Sequence, residues 1–275
     1  MRDPIELYEY PKEWLRRGVE KRIRSGLYIL TPNGWLRRGI TTGTTASASI
    51  VASIASLYED LEKVKVKTPV GIDVEVPVIA KKGFATAVKF SGDHAFDVTN
   101  GVAFKARLIE EFGIKFGSGI AKDGDYVVSR SAMGQMLMNY KRACELFDFK
   151  GGVLVEADYK QKSEKLNGIA ILGTTGFVEP WCEELLITKI EIAKRYEKIA
   201  ITTGRESWKI AKEKFPEFQP FVFGVHLKEV ISAHSGEIII VGKPGLLKHV
   251  FGSSEQIEVL NSAKKLGNVI EVVIC

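Results

Sequence analysis

Cysteine is scarce in this sequence: three residues in 275, Cys144, Cys182 and Cys275, stand far apart with no Cys-x-x-Cys pair and no Cys/His cluster. Such spacing offers neither a disulfide framework nor a set of zinc ligands, so no metal site is expected and a reducing cytoplasm is the expected compartment. Histidine is nearly as rare, with four residues. Three of them, His226, His234 and His249, are isolated and read as surface or capping positions. Long apolar runs are missing too. The longest, such as Ile238-Ile239-Ile240-Val241, fall far short of the ~20 residues that span a bilayer. Arg2, Asp3 and Glu6 open the chain with no apolar stretch behind them, unlike a signal peptide. No low-complexity tract and no internal repeat is evident, which argues against a disordered chain or a solenoid.

What is present is ordinary globular material. Hydrophobic residues make up 45% of the chain, enough for one large core or two modest ones. The net charge of +5 is mildly basic, with a cluster at Arg16, Arg17, Lys21, Arg22, Arg24, Arg37 and Arg38. No aromatic residues are interleaved there as in a known nucleic-acid module, so nucleic acid is not an expected partner. The cluster reads either as a solvated helical face or as a means of capturing a small polyanion.

Two textures divide the chain. Between about residues 63 and 120, apolar and polar residues alternate: Ile72, Val74, Val76 and Val78 share one face, and Phe84 to Phe90 repeats the pattern between glycines. Alternation of period two predicts antiparallel strands joined by turns. Helical stretches from Thr44 to Asp60 and from Ala132 to Phe147 flank it. Further strands are expected at Gly151–Val155 and Ile169–Leu172, and a helix from Glu179 to Tyr196. After Tyr196 come short apolar runs at Ile199–Thr202, Phe221–Phe223, Ile238–Val241 and Val269–Val273, separated by helical stretches at Trp208–Lys214, Leu227–Ala233 and, with a break, Leu246–Leu266. Such alternation predicts parallel strands with crossover helices. The expectation is an α+β domain over 1–195 with a mainly antiparallel sheet, then a smaller α/β domain over 196–275 with a four-stranded parallel sheet. Gly204, Gly224 and Gly242 follow three of its strands, where open parallel sheets bind ligands.

Three segments have the makings of chemistry. In Arg37-Arg38-Gly39-Ile40-Thr41-Thr42-Gly43-Thr44, threonines precede a run of small residues. Thr42 or Thr44 is expected to cap a helix whose N-terminus attracts an anion, the alternative being a capped helix packed tightly on a sheet. The lysine of a phosphate-binding P-loop is missing. In Gly173-Thr174-Thr175-Gly176 a second threonine–glycine turn leads to Glu179 and Pro180, which is either a ligand turn or a plain strand-to-helix connection. In Gly92-Asp93-His94-Ala95-Phe96-Asp97, two carboxylates and an imidazole lie within five positions. That set serves either acid–base chemistry or an Asp/Gly-rich turn.

Taken together, these segments resemble one family, the CbiD-type cobalt-precorrin-5B (C1)-methyltransferases of anaerobic cobalamin biosynthesis. Arg38-Gly39-Ile40-Thr41-Thr42-Gly43-Thr44 is similar to the family's opening motif, and Ile171–Pro180 to its central signature. Gly92-Asp93, Asp97-Val98-Thr99 and Gly101 resemble its aspartate turn, and Val241–Leu246 its late glycine segment. Thr45 stands where the family usually has cysteine, so a thiol there cannot be essential. The resemblance implies S-adenosylmethionine as methyl donor and a polycarboxylated tetrapyrrole, cobalt-precorrin-5B, as acceptor, the cobalt arriving with the substrate. It places Arg37, Arg38, Thr41, Thr42, Gly43, Thr44, Asp93, Thr174 and Thr175 at the acceptor. Gly173, Gly176, Thr203, Gly204, Gly224, Gly242 and Lys243 are assigned to the donor, and Asp97 or Glu179 to a proton or to the sulfonium. A corrinoid carrier without activity and a nucleotide-dependent transferase are the competing readings.

Overall fold

The computed structural model describes residues 1–159 and 167–275. The chain forms two compact units: one of Met1–Arg24, Ile29–Trp35 and Cys182–Cys275, the other of Ser25–Tyr28 and Leu36–Trp181. This differs from the expected break at 195/196. The change of texture there marks the start of the parallel sheet, but the unit also includes the helix Glu183–Ala193 and the first 24 residues. Tyr8 stacks on Phe221 at 5.6 Å, and Arg205 Nη2 donates to the Ile5 carbonyl at 2.7 Å. Lys189 Nζ pairs with Glu6, both side chains almost fully buried, and the second Glu6 oxygen accepts the Val222 N–H at 3.3 Å. Contacts across nearly 200 residues leave no local trace in sequence.

In the larger unit a six-stranded sheet runs in the order Leu61–Lys67, Asp73–Lys81, Phe84–Val88, Ala103–Ile109, Gly152–Asp158, Gly113–Phe116. Every pairing is antiparallel except the last. Alternation along Asp73–Lys81 turns Val74, Val76, Val78 and Ala80 inward and leaves the intervening residues exposed, as period two requires. Two helices cover the inner face, Thr42–Ala55 and Arg130–Leu146, and Ala46, Ile50, Ile54, Met136 and Tyr140 join Phe104, Val153 and Val155 in its core.

The first of these helices is buried at every position except Val51 although it is rich in serine and threonine. Its hydroxyls return their hydrogen bonds to the helix: Ser47 to Gly43, Ser49 to Ala46 and Ser53 to Ile50, at 2.8–2.9 Å. Burial without unpaired hydroxyls follows. The cap is Thr41, one residue earlier than expected, and its Oγ1 accepts the Thr44 N–H. Two other expectations shift. Ile169–Leu172 is not a ladder strand but makes isolated parallel bridges, Ile169 to Ile120 and Ile171 to Val128. The helix expected from Glu179 begins at Glu183, because Phe177–Val178 is taken up by a strand.

In the other unit the parallel sheet is as expected: Gln219–Val222, Lys198–Thr202, Glu237–Gly242 and Val269–Ile274, all parallel, in that order. The helices Arg205–Lys214, Leu227–Ala233, Pro244–Phe251 and Gln256–Lys264 make the crossovers. The two central strands are buried almost throughout, hence their unbroken apolar runs. Because the first strand in sequence lies between the second and third, connections leave it in opposite directions. The carboxyl ends of Lys198–Thr202 and Glu237–Gly242 are therefore the switch point at which such sheets take ligands.

The isolated histidines do not all lie at the surface. His234 caps the helix Leu227–Ala233 at 6% exposure. Burial pushes its pKa below the ordinary value, the Glu197 carbonyl offsetting only part of this. The unfolded chain therefore binds this proton more readily, so stability is fullest above the unfolded value of about 6.5 and falls as pH drops below it. His234→Leu is expected to flatten that acid slope in melting temperature, and an unchanged slope would refute the assignment.

Candidate active site

Two threonine–glycine turns are locked together in the larger unit. The short strand Gly39–Ile40 pairs antiparallel with Phe177–Val178, Ile40 opposite Phe177. The Thr-Thr-Gly-Thr segment that follows one strand therefore meets the Gly-Thr-Thr-Gly turn that precedes the other. Thr41 N–H donates to the Gly176 carbonyl and Gly43 N–H to the Leu172 carbonyl, each at 3.0 Å. Thr44 Oγ1 donates to Gly176 at 2.8 Å. Thr42 Oγ1 donates to the Ala170 carbonyl at 3.1 Å and accepts the Leu172 N–H at 2.8 Å. Gly173 must be glycine: its φ is +154°, and a Cβ there would sit 2.5 Å from Thr41 Oγ1. The helix-end amides expected to hold an anion at Gly43 and Thr44 are thus used internally. These residues shape the site rather than bind with their backbone.

The aspartate turn is held just as firmly. Lys89 exchanges backbone hydrogen bonds with Gly101 and Val102, closing a loop over 90–100. Inside it, Lys89 Nζ meets Asp97 Oδ2 at 2.7 Å and Ser91 Oγ at 3.2 Å. Asp97 Oδ2 also accepts Ser91 Oγ–H at 2.8 Å, while Oδ1 takes both the backbone N–H and the hydroxyl of Thr99. Burial pushes the Asp97 carboxyl up, but the hydrogen bonds from Lys89, Thr99 and Ser91 outweigh it and hold its pKa well below the usual carboxylate range. Burial in turn lowers the Lys89 ammonium against the pull of Asp97.

These turns enclose a pocket of ≈ 470 Å³. Thr41, Thr42, Gly173 and Thr174 line it beside Lys89, Asp97 and Thr99, and the apolar residues Ile169, Leu172, Phe177 and Val178 also border it. Asp97, expected from sequence, is in place. Lys89 and Thr99 were not anticipated. Lys89, one residue past the strand Phe84–Val88, continues the inward parity of Ala85 and Ala87, and a lysine on a buried face is the signal that identifies it.

Other expected residues hold the scaffold. Arg38 is fully buried: its Nε donates to Glu179 Oε1 at 2.6 Å and its Nη1 to the Gly26 carbonyl at 3.1 Å. Neither it nor Glu179 lines the pocket. Asp93 accepts the Arg37 N–H at 2.6 Å and returns its own to the Arg37 carbonyl at 2.9 Å, a clasp between two segments. Exposed Arg37 lays its guanidinium on Phe90, 4.1 Å from the ring centre. Thr175 bonds to both backbone groups of Phe177, and Gly176 packs on Thr68, which a Cβ would meet at 2.7 Å.

The remaining expected donor residues belong to the other unit. Thr203 and Gly204 follow the first strand of the parallel sheet, Gly242 and Lys243 the third. Lys243 N–H donates to Thr203 Oγ1 at 3.0 Å, and Lys243 Nζ pairs with Glu206. Gly224, with φ +62°, ends the second strand and donates to the Thr202 carbonyl at 3.2 Å. The helices that start at Arg205 and Pro244 have no side-chain cap. Gly173 and Gly176, assigned to the same ligand from sequence, lie in the larger unit instead.

Among the described residues no helix is long and apolar enough to cross a membrane, and no three His, Cys, Asp or Glu residues are grouped to hold a metal ion. Known proteins are similar over nearly the whole chain. A family model described as CbiD matches residues 31–125. The cobalt-precorrin-5B C(1)-methyltransferase of Archaeoglobus fulgidus is 59% identical over 93% of this chain and 89% of its own, and that of Methanospirillum hungatei is 34% identical over 91% and 83%. The 1.9 Å crystal structure of the cobalamin biosynthesis protein (cbiD) of Archaeoglobus fulgidus superposes with a TM-score of 0.93 at 55% identity, covering 99% of this chain and 100% of that one. With such identity extending over nearly the full length of these relatives, the chain belongs to the CbiD family.

Proposed function

We propose that this enzyme methylates cobalt-precorrin-5B at ring carbon C1, taking the methyl group from S-adenosylmethionine and giving cobalt-precorrin-6A. Methylation in cobalamin biosynthesis is the activity its relatives are named for. The observation that carries the reading to residues is an open pocket whose lining combines apolar side chains with the buried Lys89–Asp97 pair. A corrinoid edge, apolar but fringed with carboxylate arms, has the same combination.

The donor's chemistry fits the switch point of the parallel sheet. An amino-acid carboxylate suits two neighbouring helix N-termini without side-chain caps, beside the exposed Lys243. A Cβ at Gly204 or Gly245 would meet nothing within 4 Å, so the surface there is open. We assign Thr203, Gly204, Gly242 and Lys243 to the donor, with Glu206 placed to accept from a ribose hydroxyl. Bound there, S-adenosylmethionine supplies a methyl group activated by its sulfonium.

The chain's own part is alignment. Fixing both reactants can contribute roughly 7–11 kcal/mol to a displacement at carbon. Thr41, Thr42, Gly173 and Thr174 give the pocket its shape, and the lock between their turns keeps it rigid. Asp97, ionised and saturated by four donors, is a poor proton acceptor. Its work is to position Lys89. Incubating the protein anaerobically with cobalt-precorrin-5B and methyl-labelled S-adenosylmethionine is expected to add one labelled methyl at C1. A ring that stays bound but unmethylated would overturn this reading in favour of a carrier.

A further inference from the structure

Lys89 is the one cation that lines the pocket among the described residues, and those residues supply its ammonium with two acceptors. An ammonium has three donors. Nζ finds two acceptors among the described residues, Asp97 Oδ2 and Ser91 Oγ. The carboxylate beside it is fully engaged, each oxygen taking two hydrogen bonds, so Asp97 cannot swing away to follow Lys89 or to accept from a ligand. At 2% exposure, with its backbone tied to Gly101 and Val102, Lys89 has no freedom to reach elsewhere. Apart from Lys89 and Asp97, the described lining residues are neutral. Thr42 Oγ1 is spent on Ala170 and Leu172, and Thr41 Oγ1 on its helix cap, whereas Thr174 is exposed.

We propose that Lys89 seats one aliphatic carboxylate arm of the acceptor, its third N–H meeting the carboxylate while apolar lining such as the exposed Leu172 packs against the methylene stem. The inference rests on the reading of this pocket as the acceptor site, and it moves the anchoring charge from Arg38, which is buried against Glu179, to Lys89. A charged tip on an apolar stem matches a pocket with one buried cation and apolar lining. The arm is thereby held in a single orientation, which fixes the macrocycle's edge.

Binding alone tests this, without donor or turnover. A cobalt corrinoid with free carboxylates and its fully methyl-esterified form are each titrated calorimetrically into wild type, Lys89→Met and the double variant Lys89→Met/Asp97→Asn. The double variant removes both charges and so avoids leaving Asp97 buried beside no cation. Wild type is expected to bind the acid form at least about tenfold more tightly than either variant does, as loss of a charged hydrogen bond predicts, with affinity for the ester unchanged. Unaltered affinity for the acid form in the folded double variant would overturn the proposal. Failure of the enzymatic reading is separable: a wild type that shows the Lys89-dependent preference yet transfers no methyl keeps the subsite and loses the reaction.

Discussion

Arg38→Met is expected to lower the melting temperature by roughly 6–12 °C without changing the acceptor KM measured at a temperature where the variant is folded. The guanidinium is fully buried, with Nε on Glu179 and Nη1 on the Gly26 carbonyl. Taking away one member of a buried pair strands charge and acceptors that water cannot reach, at a cost of about 3 kcal/mol or more. In a chain of this size each kcal/mol is worth roughly 2–4 °C. Glu179 retains 31% exposure, so the lower end of the buried-pair range is appropriate. A residue that clamps substrate would behave oppositely. Thermal melts would stay near wild type while KM rose. Arg38→Lys sharpens the contrast, because an ammonium cannot reproduce the two-directional fork that reaches Glu179 and Gly26 together.

The largest loss of stability is expected in the other unit. Lys189 and Glu6 are 3% and 2% exposed, and their ion pair joins the helix Glu183–Ala193 to the first residues of the chain. Lys189 also donates to the Val222 carbonyl and Glu6 accepts the Val222 N–H, so the pair closes the edge of the parallel sheet. Lys189→Met leaves a carboxylate buried with its cation gone, and should cost about 3–5 kcal/mol. Adding Glu6→Gln removes the orphaned charge, and the double variant should recover at least half of the loss. Chemical denaturation of the four species gives the coupling directly. Additive losses in the double variant would show that the two groups act independently and would refute the pairing argument.

Much of the architecture was legible because it is written in short-range periodicity. Ile72 to Val78 alternate, and they form a half-buried antiparallel strand. The unbroken run at Ile238–Val241 belongs to a central parallel strand, and the intervening helices fell within a few residues of their observed ends. The pocket was legible in part, since Thr41, Thr42, Asp97, Gly173 and Thr174 all line it. The rest was not legible, for physical reasons. Arg38 and Glu179 look alike in sequence whether they meet a ligand or each other, and only burial separates the cases. Lys89 carries no mark of a site in the sequence beyond sharing the parity of Ala85 and Ala87, both of which are buried like it. The docking of residues 1–24 with the parallel sheet rests on pairs such as Tyr8–Phe221, for which no window of sequence holds both partners.

The buried helix Thr42–Ala55 has a consequence for how the larger unit comes into being. Threonine, serine and glycine dominate its first half, and these are among the weaker helix formers. A fourteen-residue segment in which seven are threonine, serine or glycine has little helicity in water on its own. The segment draws its order from the strands between Leu61 and Asp158 and from the helix Arg130–Leu146, all of which are made later on the ribosome. Its packing partners are therefore all synthesised after it, the first beginning at Leu61 and the last ending at Asp158. The lock between its leading threonines and the turn at Gly173–Gly176 can close only after that. Collapse of the whole unit is then one concerted and comparatively slow event, governed by distant contacts. A nascent chain interrupted before Gly176 has no partial site to offer.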